Sequence, residues 1–417
     1  MGTGRVGLSR QLRQIIATTD VHSAFDSAAP MLTHLHAARP DSLIVDCGDF
    51  FEGSGYYHLG EGGIEREVLT TLYDLLAPGN HGWPHYFEPR LHRMTVCANT
   101  TDDCGTPLFD RVRIRDIGGR RVAVTAVMGP QAFNAIPADQ RAGHRISNPA
   151  QALHEVMQEN HHRADSWMVL SHSGFEEDLK LAAACPRADV IFAGHCHSNS
   201  FGPAHVGDTL VVKGRELGAG YAAAEPVGSG WGARIECFPD AHSVPRELTS
   251  LMEKISAIGL RLRSPIGAVD ERLRDAPLDR RRLLEEIAGR LHSGLGADAV
   301  ILNETALRPV QLGATLTLGD LLAIEPFGNQ LVHAFLPEQH VQDHGKLLDH
   351  LTELVGPLIV APASLPPAIR TVLTTDYLAD SHLGGRTHQA GVRLRQAVRH
   401  VLTTSLASSA VPQEGGQ

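Results

Sequence analysis

Val190-Ile191-Phe192-Ala193-Gly194-His195-Cys196-His197 is a run of four apolar residues that stops on a glycine and two histidines. Four apolar residues bounded by a turn signal have the length of a buried strand, so the two imidazoles sit where a strand ends. Outward from this run the pattern recurs. Ile15-Ile16-Ala17-Thr18 leads into Asp20-Val21-His22, Leu43-Ile44-Val45 into Gly48-Asp49, and Trp167-Met168-Val169-Leu170 into Ser171-His172; Asn80-His81 follow Pro78-Gly79. Helical segments are expected between them near 26–38, 64–76 and 149–163, the last opened by Asn148-Pro149, a cap residue and a first-turn proline. Strands alternating with helices predict an α/β domain. In an open α/β sheet the carboxyl ends of the strands converge on one edge, where ligands bind. Each polar cluster alone is ordinary turn, cap or half-buried histidine chemistry; five of them in order, delivered to one edge, make a site.

The donors delivered there are two carboxylates, one amide oxygen and four imidazoles, with no thiolate. That mixture suits Zn²⁺, Mn²⁺ or iron better than Ca²⁺ or an iron–sulfur cluster. Seven donors exceed what one tetrahedral ion takes, and fit two ions sharing a bridging carboxylate, the arrangement that clamps both oxygens of an in-line phosphoryl displacement.

The rest of the chain sets the frame. Its 417 residues predict two or three domains. With 37 basic and 47 acidic residues the net charge is −10, and no long basic run offsets it, so coating a nucleic-acid polymer is excluded as the main task. A small anionic substrate stays open, because a site can be positive inside a negative molecule. Six cysteines without a CxxC pair predict free thiols in a reducing compartment. No run of eighteen apolar residues predicts a membrane span, and the polar Met1–Arg5 start lacks the apolar segment of a secretion signal; the expectation is a cytoplasmic protein with no membrane partner. Pro239, Pro245 and Pro265 punctuate a polar stretch carrying one helical pattern near 245–262. This gives a catalytic domain over 14–238, a linker and connecting helix over 239–265, and a second domain over 266–405 with helices expected at 278–294 and 341–355. The tail from Leu406 is expected to fray.

Asp20-x-His22, Gly48-Asp49, Gly79-Asn80-His81, His172 and Gly194-His195-x-His197 together resemble the calcineurin-like metallophosphoesterase superfamily over about 14–235. Asn303-Glu304-Thr305-Ala306-Leu307-Arg308, Gly319-Asp320-Leu321-Leu322 and Pro326-Phe327-Gly328-Asn329 resemble the C-terminal nucleotide-recognition domain of the 5′-nucleotidase family. The resemblance implies an αββα sandwich followed by a smaller α/β domain. It implies one metal held by Asp20, His22, Asp49 and His197, and another held by Asp49, Asn80, His172 and His195, with Mn²⁺ or Zn²⁺ foremost and Mg²⁺, Fe²⁺ or Co²⁺ also admitted. His81 is then no ligand but a catalytic group facing the phosphate, and a metal-bound water or hydroxide is the nucleophile. Asn80, His81, Arg308, Phe327 and Asn329 are implied to meet the substrate: Arg308 as a fork for oxygens, Phe327 as a stacking ring, Asn329 as an amide for the base. Tyr377, in Thr375-Asp376-Tyr377, is a candidate second aromatic. The second domain is implied to swing, with its hinge near 240–265.

One departure stands out. The family usually continues Asn-His-Glu-x-Asp, whose aspartate partners the catalytic histidine; here the run is Asn80-His81-Gly82-Trp83-Pro84-His85. Proline cannot orient an imidazole, which leaves His85 or another residue to serve. The expected activity is removal of the 5′-phosphate from a nucleoside monophosphate or modified relative, with a phosphorylated intermediate of nucleoside natural-product (antibiotic) synthesis as the narrower expectation. Phosphodiester or cyclic-nucleotide hydrolysis on the same metals, and metal and nucleotide binding without turnover, are the alternatives.

Overall fold

A computed structural model describes residues 10–403 apart from 276, 296, 342 and 368; the start at Met1–Arg5 and the tail from Leu406 lie outside the described residues. The chain divides into two compact units, Met1–Ile258 and Gly259–Gln417, and the division falls inside the helix Thr249–Leu262.

Two sheets build the first unit. One has the order Gly230–Cys237, Gly220–Val227, Gln14–Thr18, Ser42–Asp46, Leu75–Leu76, its last three strands parallel. The other runs Ala204–Val206, Thr209–Lys213, Val190–Ala193, Ser166–His172, Arg120–Met128, Arg113–Ile117, with its four middle strands parallel. The central strands are buried on both faces, which is why they are nearly continuous apolar runs. Alternation still sorts their side chains. Val122, Val124, Met168, Leu170, Val190 and Phe192 meet Ile15, Ala17, Leu43 and Val45 between the sheets. Val127, Val169 and Ile191 face the other way, onto Leu153 and Val156 of the helix Pro149–Asn160 and Leu181 of the helix Phe175–Ala184. The architecture is the αββα sandwich expected.

The helix expected over 64–76 is shorter, Gly63–Leu72. Its apolar spacing continues through Leu75 and Leu76, but the backbone turns extended at Tyr73. Asp74 then exchanges hydrogen bonds with Ile44, its amide donating to the Ile44 carbonyl at 2.8 Å and its carboxylate accepting from the Ile44 amide at 2.9 Å. Leu75 and Leu76 thereby join the sheet beside Val45 and Asp46. This two-residue strand is what carries Gly79-Asn80-His81 to the edge.

The second unit has its own five-stranded sheet, in the order Leu358–Ala361, Val300–Asn303, Thr371–Thr375, Gln330–Phe335, Thr387–Arg393. Val300 and Leu302 pack toward the helices Arg280–Leu295 and Leu394–Thr403, while Ala299 and Ile301 pack toward Leu347 and Leu351 of His344–Val355. Among the described residues no helix is long and apolar enough to cross a membrane. All six cysteines are free.

Candidate metal centre

The strand ends of both sheets in the first unit meet at one edge, and glycine makes the approach possible. A β-carbon on Gly79 would stand 2.2 Å from Asp49 Oδ1, and one on Gly194 would stand 2.5 Å from Thr19 Oγ1. These are contacts that no side chain survives, so the glycines of the Gly-Asn-His and Gly-His-x-His motifs are there for packing.

Asp20, His22, Asp49, Asn80 and His172 are all buried. Asp49 is the centre: its Oδ2 lies 3.3 Å from His172 Nε2 and 3.9 Å from His22 Nε2, while its Oδ1 accepts the His81 backbone N–H at 2.8 Å. Candidate ligand atoms form two groups around it, Asp20, His22 and His197 on one side and Asp49, His172 and His195 on the other, each within 4.8 Å; a further group links His22, Asp49 and His81. Asn80 Oδ1 is 3.2 Å from His172 Nε2, which places it with the second group. All seven residues expected as ligands are therefore brought together in one place.

Hydrogen bonds fix which imidazole nitrogen faces the centre. His172 Nδ1 donates to the Cys47 carbonyl at 2.8 Å, so its Nε2 points inward. His197 Nδ1 is held by Glu216 Oε2 at 2.5 Å, which leaves its Nε2 free. Glu216 is paired in turn with Lys213, a wholly buried lysine that also donates to the carbonyls of Cys196 at 2.6 Å and Ser198 at 3.0 Å. A carboxylate behind a ligating histidine sets its tautomer and its aim. Sequence reading missed Glu216 and Lys213, whose only signal was a strand, Thr209–Lys213, ending at the same edge.

The electrostatics suit cations. Burial pushes His22 down to about 3 and His195 down to about 4, so both imidazoles are neutral lone-pair donors. His22 Nε2 is buried with no hydrogen-bond partner, an arrangement a cation satisfies and water-free burial penalises. Burial raises Asp20 to about 6; it opposes Asp49 as well, but the neighbouring His172 charge and hydrogen bond outweigh it and hold Asp49 low. The donor set fits divalent metal.

Backbone strain gathers here too. Asp20, His22, Ser23, Asp49, Glu52 and His195 all have positive φ, between 49° and 75°. A non-glycine residue in that region costs of order 1 kcal/mol or more, and such strain persists where surrounding structure over-determines it.

His81 lies beside the ligands, its ring 5.0 Å from that of His22. Its Nδ1 is 3.0 Å from Glu52 Oε2. Burial opposes its charged form, but the hydrogen bond to Glu52 and the Asp49 charge raise it above the usual histidine value. His85 does not serve it. That ring stacks on Phe51 at 4.4 Å and is held by Tyr57 Oη at 2.9 Å and Glu88 Oε1 at 2.7 Å. The altered run is an aromatic anchor: Trp83–Phe87 forms a 3₁₀ turn with Pro84 at its start, Trp83 and Tyr86 are buried, and Trp83 Nε1 donates to His144 Nδ1 at 3.1 Å.

In the second unit, Arg308 lies over the Phe327 ring, 5.6 Å from its centroid, and Phe327 is half exposed. Tyr377 is also half exposed, and the antiparallel register of Leu331 with Thr375 brings the start of its helix, Asp376–His382, to the same end of the sheet as the Phe327 loop. Asn329 is nearly buried, its side-chain amide donating to Glu325 Oε1 at 3.0 Å, where it holds the loop that presents Phe327.

Residues 13–199 match the calcineurin-like phosphoesterase family model. Two-domain proteins share the whole fold: a 5′-nucleotidase precursor of Thermus thermophilus superposes with a TM-score of 0.67 at 17% identity, over 97% of this chain and 100% of that one. The sulfate thiohydrolase SoxB of Thermus thermophilus does so at 0.68 and 16%, over 96% and 95%. In sequence, the chain is 20% identical over 403 residues to the trifunctional nucleotide phosphoesterase protein YfkN of Bacillus subtilis, covering 79% of this chain and 27% of that protein. It spans under a third of the length of the curated relatives it matches.

Proposed function

We propose that the protein is a two-metal phosphohydrolase that removes the 5′-phosphate of a nucleoside monophosphate. The observation that carries the reading is Asp49, whose Oδ2 stands between His172 Nε2 at 3.3 Å and His22 Nε2 at 3.9 Å, shared by two donor groups. Asp20, His22, Asp49 and His197 are assigned to one ion, and Asp49, Asn80, His172 and His195 to the other. When bound, two divalent ions supply Lewis-acid stabilisation of phosphoryl oxygens and an activated water.

The chain's own residues do the rest. Buried, strained and hydrogen-bonded from behind, the donors need little reorganisation to receive ions or substrate, which is how preorganised charge is made effective. His81, held above its usual value and just outside the ligand set, is the group to donate a proton to the departing alkoxide. Arg308 and Phe327 are assigned to the nucleoside, Tyr377 as a further aromatic surface, and Asn329 to the loop that holds Phe327. The relatives named for nucleotide hydrolysis support this substrate class. The narrower reading, a specialised phosphorylated nucleoside of natural-product synthesis, rests on the rebuilt run Gly82–His85.

Purified protein with Mn²⁺ or Zn²⁺ is expected to release phosphate from a panel of nucleoside 5′-monophosphates, and Asp49→Ala to abolish release. Turnover that survives Asp49→Ala refutes the assignment. Equal rates across the common nucleotides refute the narrower reading alone.

A further inference from the structure

The run that follows His81 holds Pro84 where the resemblance leads one to expect an aspartate, and a carboxylate reaches His81 from a different loop. Glu52 reaches His81 from the turn after the strand Ser42–Asp46, a neighbour of the strand that carries His81. The same turn grips His81 twice: Asp49 Oδ1 accepts its backbone N–H at 2.8 Å, and Glu52 Oε2 meets its Nδ1 at 3.0 Å. Residues 49 and 52 thereby fix both the position and the rotation of the ring. With Nδ1 occupied by a carboxylate that can only accept, the proton on Nδ1 faces Glu52 and Nε2 is the nitrogen left for substrate.

Glu52 is also held in a left-handed conformation, φ 63°, where glycine is easier. Among the described residues, His81 is the one hydrogen-bond partner of its carboxylate. Neither feature serves the core, since the Glu52 side chain is about one-third exposed. A strained backbone that aims an acceptor at one imidazole is the pattern of stored strain at a working site.

We propose that Glu52 is the positioning residue of His81, replacing from another loop the partner that Pro84 cannot supply. The inference rests on the phosphohydrolase reading. In the step it supports, the His81 Nε2 proton passes to the ester oxygen as the P–O bond breaks and its electron pair stays on that oxygen. The attacking water supplies the new phosphate oxygen and loses a proton to solvent.

The test uses Glu52→Ala, Glu52→Gln, His81→Ala and the Glu52→Ala/His81→Ala double variant, assayed with a nucleoside 5′-monophosphate and with p-nitrophenyl phosphate, whose leaving group departs without a proton. Glu52→Ala is expected to lower kcat on the nucleotide roughly tenfold to a hundredfold with KM little changed, and to leave the aryl ester nearly unaffected. Glu52→Gln, which keeps an acceptor oxygen, is expected to lose less. The double variant is expected to be no slower than His81→Ala, as residues acting as a unit are not additive. Glu52→Gly, which suits a positive φ, is expected to keep the parent Tm while losing the same activity, separating positioning from folding. Equal losses on both esters, or additive losses with His81→Ala, overturn the proposal. A parent without nucleotide turnover defeats the functional reading instead, and ¹⁵N spectra of His81, recorded at a pH high enough for the ring to have lost its Nε2 proton, then decide this one: the Nδ1-protonated tautomer in the parent and mixed tautomers in Glu52→Ala support it, identical spectra overturn it.

Discussion

His197 is more than half exposed, yet its Nδ1 is fixed by Glu216, and Glu216 is fixed by the buried Lys213. Two residues thus anchor the most solvent-exposed candidate ligand. A buried lysine is tolerable because its charge is paired and its other protons go to the Cys196 and Ser198 carbonyls. Removing Glu216 frees the ring and leaves Lys213 without its countercharge. Glu216→Gln, which retains an acceptor, is expected to weaken binding of one ion roughly tenfold to a hundredfold while the second stays near its parent affinity, read by Mn²⁺ titration. Uniform weakening of both ions, or none, contradicts the assigned role.

The strand Ser166–His172 and the helix Phe175–Ala184 show how an element carries a residue to the site. Behind His172, Ser171 Oγ donates to Asp178 Oδ1 at 2.5 Å inside the helix packing, and burial raises Asp178 from 3.8 to about 8. An acid raised on folding binds its proton more tightly in the folded state. Its ionisation therefore erodes stability progressively from about pH 4 up to about pH 8, by at most about 1.4 kcal/mol per pH unit, and no further above that. Asp178→Asn keeps the shape without the charge. Its Tm advantage over the parent is expected to grow as pH rises from about 5 to about 8 and then level off; an advantage equal at every pH contradicts the protonated carboxyl.

Elements also explain what sequence made legible. Ligand positions are constrained twice, by donor chemistry and by the strand ends, so Asp20, His22, Asp49, His172, His195 and His197 stood out as types in a pattern. The strand Leu75–Leu76 did not, because its two leucines continue the spacing of the preceding helix and only the pairing with Val45 and Asp46 ends it. Glu52 and Glu216 were invisible for another reason: a partner need only bring an oxygen to a ring nitrogen, and Glu52 does so across 29 positions from a left-handed turn that no periodicity marks. The helices at 280–295 and 344–355 were legible from their apolar stripes, with ends displaced by up to three residues.

For the whole molecule, shape alone leaves the substrate open. A sulfate thiohydrolase and a 5′-nucleotidase superpose on this chain almost equally well, so specificity belongs to side chains placed on a shared frame. Charge tells the same story. The chain carries −10 overall, yet on the proposed two-ion reading a pair of divalent cations would outweigh the buried Asp20 and Asp49 carboxylates and make the site locally positive for phosphate. Everything proposed turns on Asp49 being shared between two ions. Isothermal titration of Mn²⁺ into chelator-stripped protein, parent against Asp49→Ala, tests that most directly: two ions per parent chain and at most one weak ion in the variant are predicted, whereas a single ion in the parent, or two unchanged ions in the variant, contradicts the account.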